Sequence, residues 1–247
     1  MLSSNRQHRL EVIDLNRRIG QMPTPIERFS QALRDHAGDF GAQPGDDDIE
    51  RLTNYYQLVL KWNPRLHLVA PCAPEAFATR HILESLVLLP HLSRDASVID
   101  VGSGAGLPII PCLIMREDLR ATLIESSQRK GVFLREALRQ IGNPERHSLL
   151  VSRFEDRPTL AGDFVTCRAL DGFQQVLPKL IEWAPMPSTL LLFAGPSLRE
   201  KVEAQFPLAR AELIPGSERR FLMIAQRDWR RSQQSRFGSE RSQSSLP

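Results

Sequence analysis

Cysteine is scarce in this 247-residue chain, which has only Cys72, Cys112 and Cys167. An odd set without metal-ligand spacing argues against both a disulfide framework and a zinc site. Long apolar runs are also missing: no stretch approaches the ~20 residues that span a bilayer. The segment Met1-Leu2-Ser3-Ser4-Asn5-Arg6-Gln7-His8-Arg9 leads into no continuous apolar run of the kind a secretory signal needs. A cytoplasmic protein without a membrane contact is therefore expected. Excess charge is small, at +3, and it is local. Arg227, Arg230, Arg231, Arg236 and Arg241 stand against Asp228 and Glu240, an excess of three that accounts for the whole. The remainder is near neutral, so a basic tail either touches phosphates or is simply a solvated end. With 41% hydrophobic and 25% charged residues, composition is that of an ordinary globular protein, and one main domain with extensions is expected. A monomer is the default. No internal repeat is present, nor any Ser-His-Asp or metal-binding constellation.

What is present is a punctuated stretch at residues 97–111, SVIDVGSGAGLPIIP. The apolar run Val98-Ile99-Asp100-Val101 stops at Gly102, Gly104 and Gly106, and apolar residues resume at Leu107, Ile109 and Ile110. The order is strand, tight turn, helix. Glycine permits positive φ and close approach of a ligand to the backbone. Free N–H groups and the dipole of the following helix would favour polar or negative ligand groups there.

The chain around this turn divides into a poorly ordered arm (1–22), a helical cap (23–95), an α/β domain (96–228) and a basic disordered tail (229–247). In the cap, Thr24-Pro25-Ile26-Glu27 reads as a helix start. Asp46-Asp47-Asp48 opens a second helix expected to end at Asn63-Pro64, and Pro74-Glu75 opens a third reaching about Leu89. Beyond Ser97, strands and helices alternate, the pattern of a mostly parallel sheet covered on both faces. The segments 209–214 and 220–225 are close enough to finish it as an antiparallel pair.

The glycine spacing discriminates among cofactors. A dinucleotide fingerprint G-x-G-x-x-G needs a third glycine where Leu107 stands. Here the pattern is Asp100-x-Gly102-x-Gly104-x-Gly106, with an acid just ahead of the turn. A carboxylate there can accept hydrogen bonds from a cationic amino-acid portion, which suits S-adenosyl-L-methionine. Glu125, ending the second strand, is placed for a ribose diol, although nicotinamide enzymes also carry an acid there. Phe154-Glu155 pairs an aromatic face with an acceptor, as adenine requires. No metal site is expected.

Lys61-Trp62-Asn63, Leu68-Val69, residues 80–86 (RHILESL), residues 100–108 (DVGSGAGLP) and Cys167-Arg168-Ala169-Leu170 occur in the order seen in the ribosomal RNA small subunit methyltransferase G family, also called GidB. The chain resembles that family over roughly residues 25–226. The resemblance implies a class I S-adenosylmethionine-dependent methyltransferase: an α/β, Rossmann-like, seven-stranded and mostly parallel sheet with an N-terminal helical cap. It also implies methyl transfer to nitrogen 7 of a guanine in 16S ribosomal RNA, free or within the small-subunit particle. By position, the family's cofactor contacts fall on Gly102, Leu107, Phe154, Glu155 and Arg168. Ile109 stands where the family has glycine, Ala194 where it has lysine, and His67 where it has asparagine.

No residue is assigned as a general acid or base, since guanine nitrogen 7 carries a lone pair and no proton. Arg168 and His81 are candidate positioning groups. For Arg168 the alternative is an ion pair with Asp171 or Asp163, and for His81 a hydrogen-bonded core role. Glu84 and Ser85 position the loop or lie on a solvated helix face. Tyr55 and Trp62 are expected between cap and sheet. Arg129, Lys130, Arg135 and Arg139 share a helix that could meet phosphates. Two other functions stay open at this point: a diverged methyltransferase acting on a small molecule or protein, and a non-catalytic adenosylmethionine- or RNA-binding protein.

Overall fold

The computed structural model describes residues 23–168 and 173–228, with the backbone alone at 173 and 174. The arm, the basic tail from residue 229 and Asp171 lie outside the described residues.

Helix α1 (Pro25–His36) starts where Thr24 caps it. Thr24 Oγ1 accepts from Glu27 N at 3.2 Å and Glu27 Oε2 accepts from Thr24 N at 2.7 Å, a reciprocal capping box. Helix α2 (Asp46–Leu66) is started by Asp48, whose carboxylate accepts from Gly45 N at 2.9 Å. It buries Ile49, Leu52, Tyr55, Tyr56 and Val59 at helical spacing. It also runs past the expected stop, through Pro64 to Leu66, and closes on His67 at φ 49. Histidine and asparagine both enter that left-handed region more readily than most residues, which explains the exchange at this position. The third helix is composite: α3 (Pro74–Phe77) passes through a π-helical segment (Ala78–Leu83) into α4 (Glu84–Leu86). Within this layer the Tyr56 ring stacks on Phe29 at 4.2 Å and tilts against Phe77 at 4.7 Å. Such pairs add about 0.5–1.5 kcal/mol beyond their burial.

Seven strands follow: β1 (Ser97–Val101), β2 (Arg120–Glu125), β3 (His147–Val151), β4 (Phe164–Cys167), β5 (Ser188–Ala194), β6 (Arg210–Leu213) and β7 (Phe221–Arg227). Their order in the sheet is β3-β2-β1-β4-β5-β7-β6. The first five are parallel, and β7 is antiparallel to β5. The last two strands form the expected antiparallel pair, but β7 inserts beside β5 and leaves β6 at the edge. This is the class I methyltransferase fold. Helices α5 (Ile109–Met115), α6 (Gln128–Ile141), α7 (Phe173–Trp183) and α8 (Pro196–Gln205) connect the strands.

Alternation along the strands divides the core. Val98, Leu123, Leu191 and Phe193 face the cap helices, α5 and α6, while Ile99, Val101, Val165 and Leu192 face the layer holding Leu177, Leu180 and Leu198. The apolar core runs unbroken from Phe29 and Tyr55 into Val98 and Leu123, so residue 95/96 is a division of chain order, not of packing. Among the described residues no helix is long and apolar enough to cross a membrane. Strand order reverses between β1 and β4, and the crevice beyond their carboxyl ends is where ligands bind in open α/β sheets.

Candidate functional site

The three glycines of the turn after β1 have φ of 74°, 55° and 83° at Gly102, Gly104 and Gly106. All lie in the left-handed region that other residues enter at a cost. Four of the turn's N–H groups, those of Gly102, Ser103, Gly104 and Gly106, are already bonded, contrary to the sequence expectation of free donors. Gly102 N and Ser103 N donate to Ile124 O at 2.9 and 3.1 Å. Gly106 N donates to Ser103 O at 2.6 Å, and Gly104 N donates to Glu125 Oε2 at 2.9 Å. The second Glu125 oxygen accepts from Ser127 N at 2.7 Å, so this carboxylate clamps the turn to the start of α6. From the other side, the buried Tyr55 hydroxyl donates to Ala105 O at 2.6 Å.

Beside this turn lies a cleft of about 810 Å³. It brings together Gly102, Gly104, Leu107, Glu125, Phe154, Glu155, Arg168 and His81 from five separate segments of chain. Two anticipated residues do not line it. Gly106 is buried with the side chain of Ile110 behind it. Asp100, expected to meet a ligand directly, is 0% exposed beneath the turn, on the cap face of β1. Neither of its oxygens has a hydrogen-bond partner among the described residues. Burial pushes its carboxyl up to about 7, while the Ser103 hydroxyl donates to the Asp100 backbone carbonyl. Ile109 is fully buried in the core behind the turn and lines no part of the cleft. The family's glycine can therefore be an isoleucine here without narrowing the site.

The opposite wall comes from strand ends and cap. Phe154 packs edge-on against Trp183 at 5.5 Å, presenting a fixed aromatic surface, and Glu155 is exposed beside it. Leu68 and Val69 line the cleft because the Asn63 side-chain amide holds Val69 by two 3.0 Å hydrogen bonds. That is the physical content of the spaced Asn63 and Leu68-Val69 motif. Trp62 donates to Glu136 at 3.0 Å and packs on Phe133, between α2 and α6. Ala194 is buried on the far face, so the missing lysine leaves no gap in the cleft wall. Lys130 and Arg153 also line the site. Arg153 escaped the sequence reading, although it directly precedes Phe154-Glu155.

Of the two partners expected for Arg168, Asp163 instead accepts from Ser97 N, and Asp171 lies outside the described residues. Its guanidinium lies 5.3 Å from the Phe193 ring centre and donates to Arg80 O at 2.6 Å and Ser85 Oγ at 3.2 Å. It also pairs with Glu84 at 3.4 Å. Glu84 lies on no solvated face; its side chain is 4% exposed. His81 packs 5.0 Å from the Phe77 ring. Burial, reinforced by Arg168, Arg80 and Arg220, holds its imidazole at about 4, neutral at physiological pH.

Comparison with known proteins gives the family. The family model described as rRNA small subunit methyltransferase G matches residues 48–209. The ribosomal RNA small subunit methyltransferase G of Nitrosomonas europaea is 46% identical over 94 residues, 38% of this chain and 44% of that protein. Its counterpart in Paracoccus denitrificans is 36% identical over 157 residues, 63% of this chain and 80% of that protein. The chain spans less than two thirds of the length of several such relatives, 59% for Nitrosomonas eutropha. Among solved structures, an RNA methyltransferase from Salinibacter ruber in complex with S-adenosyl-L-homocysteine matches with a TM-score of 0.46 and 15% identity, over 65% of this chain and 95% of that one. The chain belongs to the rRNA small subunit methyltransferase G family.

Proposed function

We propose that this protein is a cytoplasmic S-adenosyl-L-methionine-dependent methyltransferase that modifies nitrogen 7 of a guanine in 16S ribosomal RNA. The observation that carries the reading is the cleft at the β1/β4 switch point, framed by family motifs and floored by a turn with four N–H groups already bonded. Such a floor offers little to a pyrophosphate. It suits a cationic ligand, and the unpartnered Asp100 carboxyl directly beneath adds a negative field when ionised. A Cβ built on Gly104 would meet only Gly102 O, at 3.7 Å, which leaves the cleft side open for close approach. The residues therefore fit the cofactor.

On this reading Gly102, Gly104 and Leu107 form the floor under the cofactor, with Gly106 and Asp100 supporting from behind. Glu125 has lone pairs left for the ribose hydroxyls after bonding two backbone amides. Phe154 and Glu155 take the adenine, and Arg168 and His81 close the cap side. The cofactor supplies an electrophilic methyl group on a sulfonium. Guanine nitrogen 7 has no proton to lose, so the protein's work is to align the acceptor and exclude water. A neutral His81 serves this chemistry, because the methylated base becomes cationic and a second cation would oppose it. Lys130 and Arg153 at the cleft are suited to backbone phosphates of the substrate.

The test is to map 7-methylguanine in 16S ribosomal RNA from a strain lacking this gene, with and without the restored chain. One guanine should lose and regain its methyl group. An unchanged modification pattern refutes the reading, and transfer that survives RNase treatment would favour a small-molecule or protein substrate.

A further inference from the structure

We infer that Glu84 is a positioning residue of this site: by holding the Arg168 guanidinium against the π-helical segment, it fixes His81 and the cap at the cleft wall. The inference rests on the reading of the cleft as the methyl-transfer site, and concerns a residue that does not line it. Glu84 Oε1 lies 3.4 Å from Arg168 Nη2, and Glu84 Oε2 lies 2.8 Å from Arg220 Nη1, with the carboxylate side chain 4% exposed. One buried carboxylate thus joins the cap, the carboxyl end of β4 and the residue leading into β7. Neither arginine is near it in sequence. Arg168 completes the tie with bonds to Arg80 O, Ser85 Oγ and, at 3.4 Å, His81 O.

The tie falls on the π-helical segment. The wider turn directs the carbonyls of Arg80 and His81 to one guanidinium, and π segments are frequent at functional sites. Nη1 and Nη2 of Arg168 thus point at the cap instead of into the cleft, so Arg168 works largely as a fastener. Removing the carboxylate would leave Arg168 buried without its counter-ion, a strongly unfavourable state. Local rearrangement would then displace His81, whose carbonyl and ring both belong to this segment.

A double-mutant cycle with Glu84→Gln and Arg168→Lys in the full-length protein tests this. The readouts are S-adenosyl-L-homocysteine affinity by calorimetry, kcat and KM on small-subunit RNA, and the urea midpoint. Each single variant should weaken affinity about tenfold and lower kcat, and the double variant should be little worse than the weaker single, as for residues acting as one unit. Glu84→Asp should recover part of both. Additive losses, or a Glu84→Gln protein with an altered midpoint but normal affinity and kcat, overturn the assignment. If Glu84→Gln does not fold, Arg220→Gln replaces it in the cycle under the same criteria. A wild-type protein that binds adenosylhomocysteine but methylates no RNA refutes the proposed function, and the affinity cycle still judges Glu84. Absence of adenosylhomocysteine binding by the wild type overturns both.

Discussion

Replacing Gly106 and Gly104 by alanine, one at a time, separates what holds the turn together from what holds the ligand. Both glycines have positive φ, +83° and +55°, so each alanine incurs about 1–2 kcal/mol of backbone strain. The surroundings differ. A Cβ on Gly106 would sit 2.2 Å from Ile110 Cδ1, 2.7 Å from Cγ1 and 3.3 Å from Cβ. Ile110 is 0% exposed and cannot swing away, so overpacking adds about 1–3 kcal/mol. Gly106→Ala should therefore lose roughly 2–5 kcal/mol of stability. A second change, Ile110→Val, deletes the nearest atom and should recover part of that loss when the two are combined. Gly104→Ala meets only a backbone oxygen at 3.7 Å and should lose just the strain. Its methyl group, however, stands at the cleft floor, where adenosylhomocysteine affinity should fall tenfold or more, an order-of-magnitude expectation from lost close approach. Urea denaturation and calorimetry on the two variants give the four values. Gly106→Ala with wild-type stability, or Gly104→Ala with wild-type affinity, would refute this account of the turn.

Three other substitutions report on the same architecture. Tyr55→Phe removes the donor to Ala105 O and leaves a buried carbonyl unpaired, so it should cost about 1–3 kcal/mol in urea denaturation; no loss would mean the contact is slack. His81, neutral in the fold with its acidity near 4, binds no proton between that value and 6.5 while the unfolded chain does. Its contribution to stability is full above pH 6.5 and is lost as pH falls toward 4, and His81→Gln should flatten that part of the wild-type stability curve. Asp100, raised from 3.8 to about 7, has the opposite sign: its stability contribution is full below pH 3.8 and is lost as pH rises through 7. Asp100→Asn should thus be more stable than wild type above pH 7 yet bind adenosylmethionine less tightly, and equal stability at pH 8 would contradict the buried charge.

The helices and strands were legible because each carries its own period or punctuation. Thr24 and Glu27 are three apart, and Ile49, Leu52, Tyr56 and Val59 share one helical stripe. Gly102, Gly104 and Gly106 interrupt an apolar run in a way few structures allow. What the sequence concealed depends on partners far along the chain. Glu84 looks like an acid on an amphipathic helix until Arg168 and Arg220 arrive from residues more than eighty positions away. The insertion of β7 between β5 and β6 follows from pairing Leu190 with Ala225 and Ala211 with Met223, and no local pattern encodes it. The π-helical segment likewise has its Arg80 and His81 carbonyls bonded by Arg168, a partner distant in sequence.

The hydrogen bonds of the glycine turn bear directly on which cofactor the fold accepts. In a phosphate-binding loop, successive N–H groups point at the anion and the helix dipole assists them. Here the N–H groups of Gly102, Ser103, Gly104 and Gly106 are all occupied, two by Ile124 O, one by Glu125 and one within the turn. Leu107 takes the place of the third fingerprint glycine, the one that permits close helix–strand packing. The acidic groups at the turn itself are Glu125, bonded to Gly104 N, and the buried Asp100, while Lys130, Arg153 and Arg168 line the cleft around it. A ligand's ammonium group gains from those two acids, and a pyrophosphate finds the four N–H donors already taken. Spacing alone could indicate that Leu107 breaks the dinucleotide pattern. The Glu125 clamp supplies the reason the change matters, because the same carboxylate that orders the turn occupies the Gly104 N–H an anion would use.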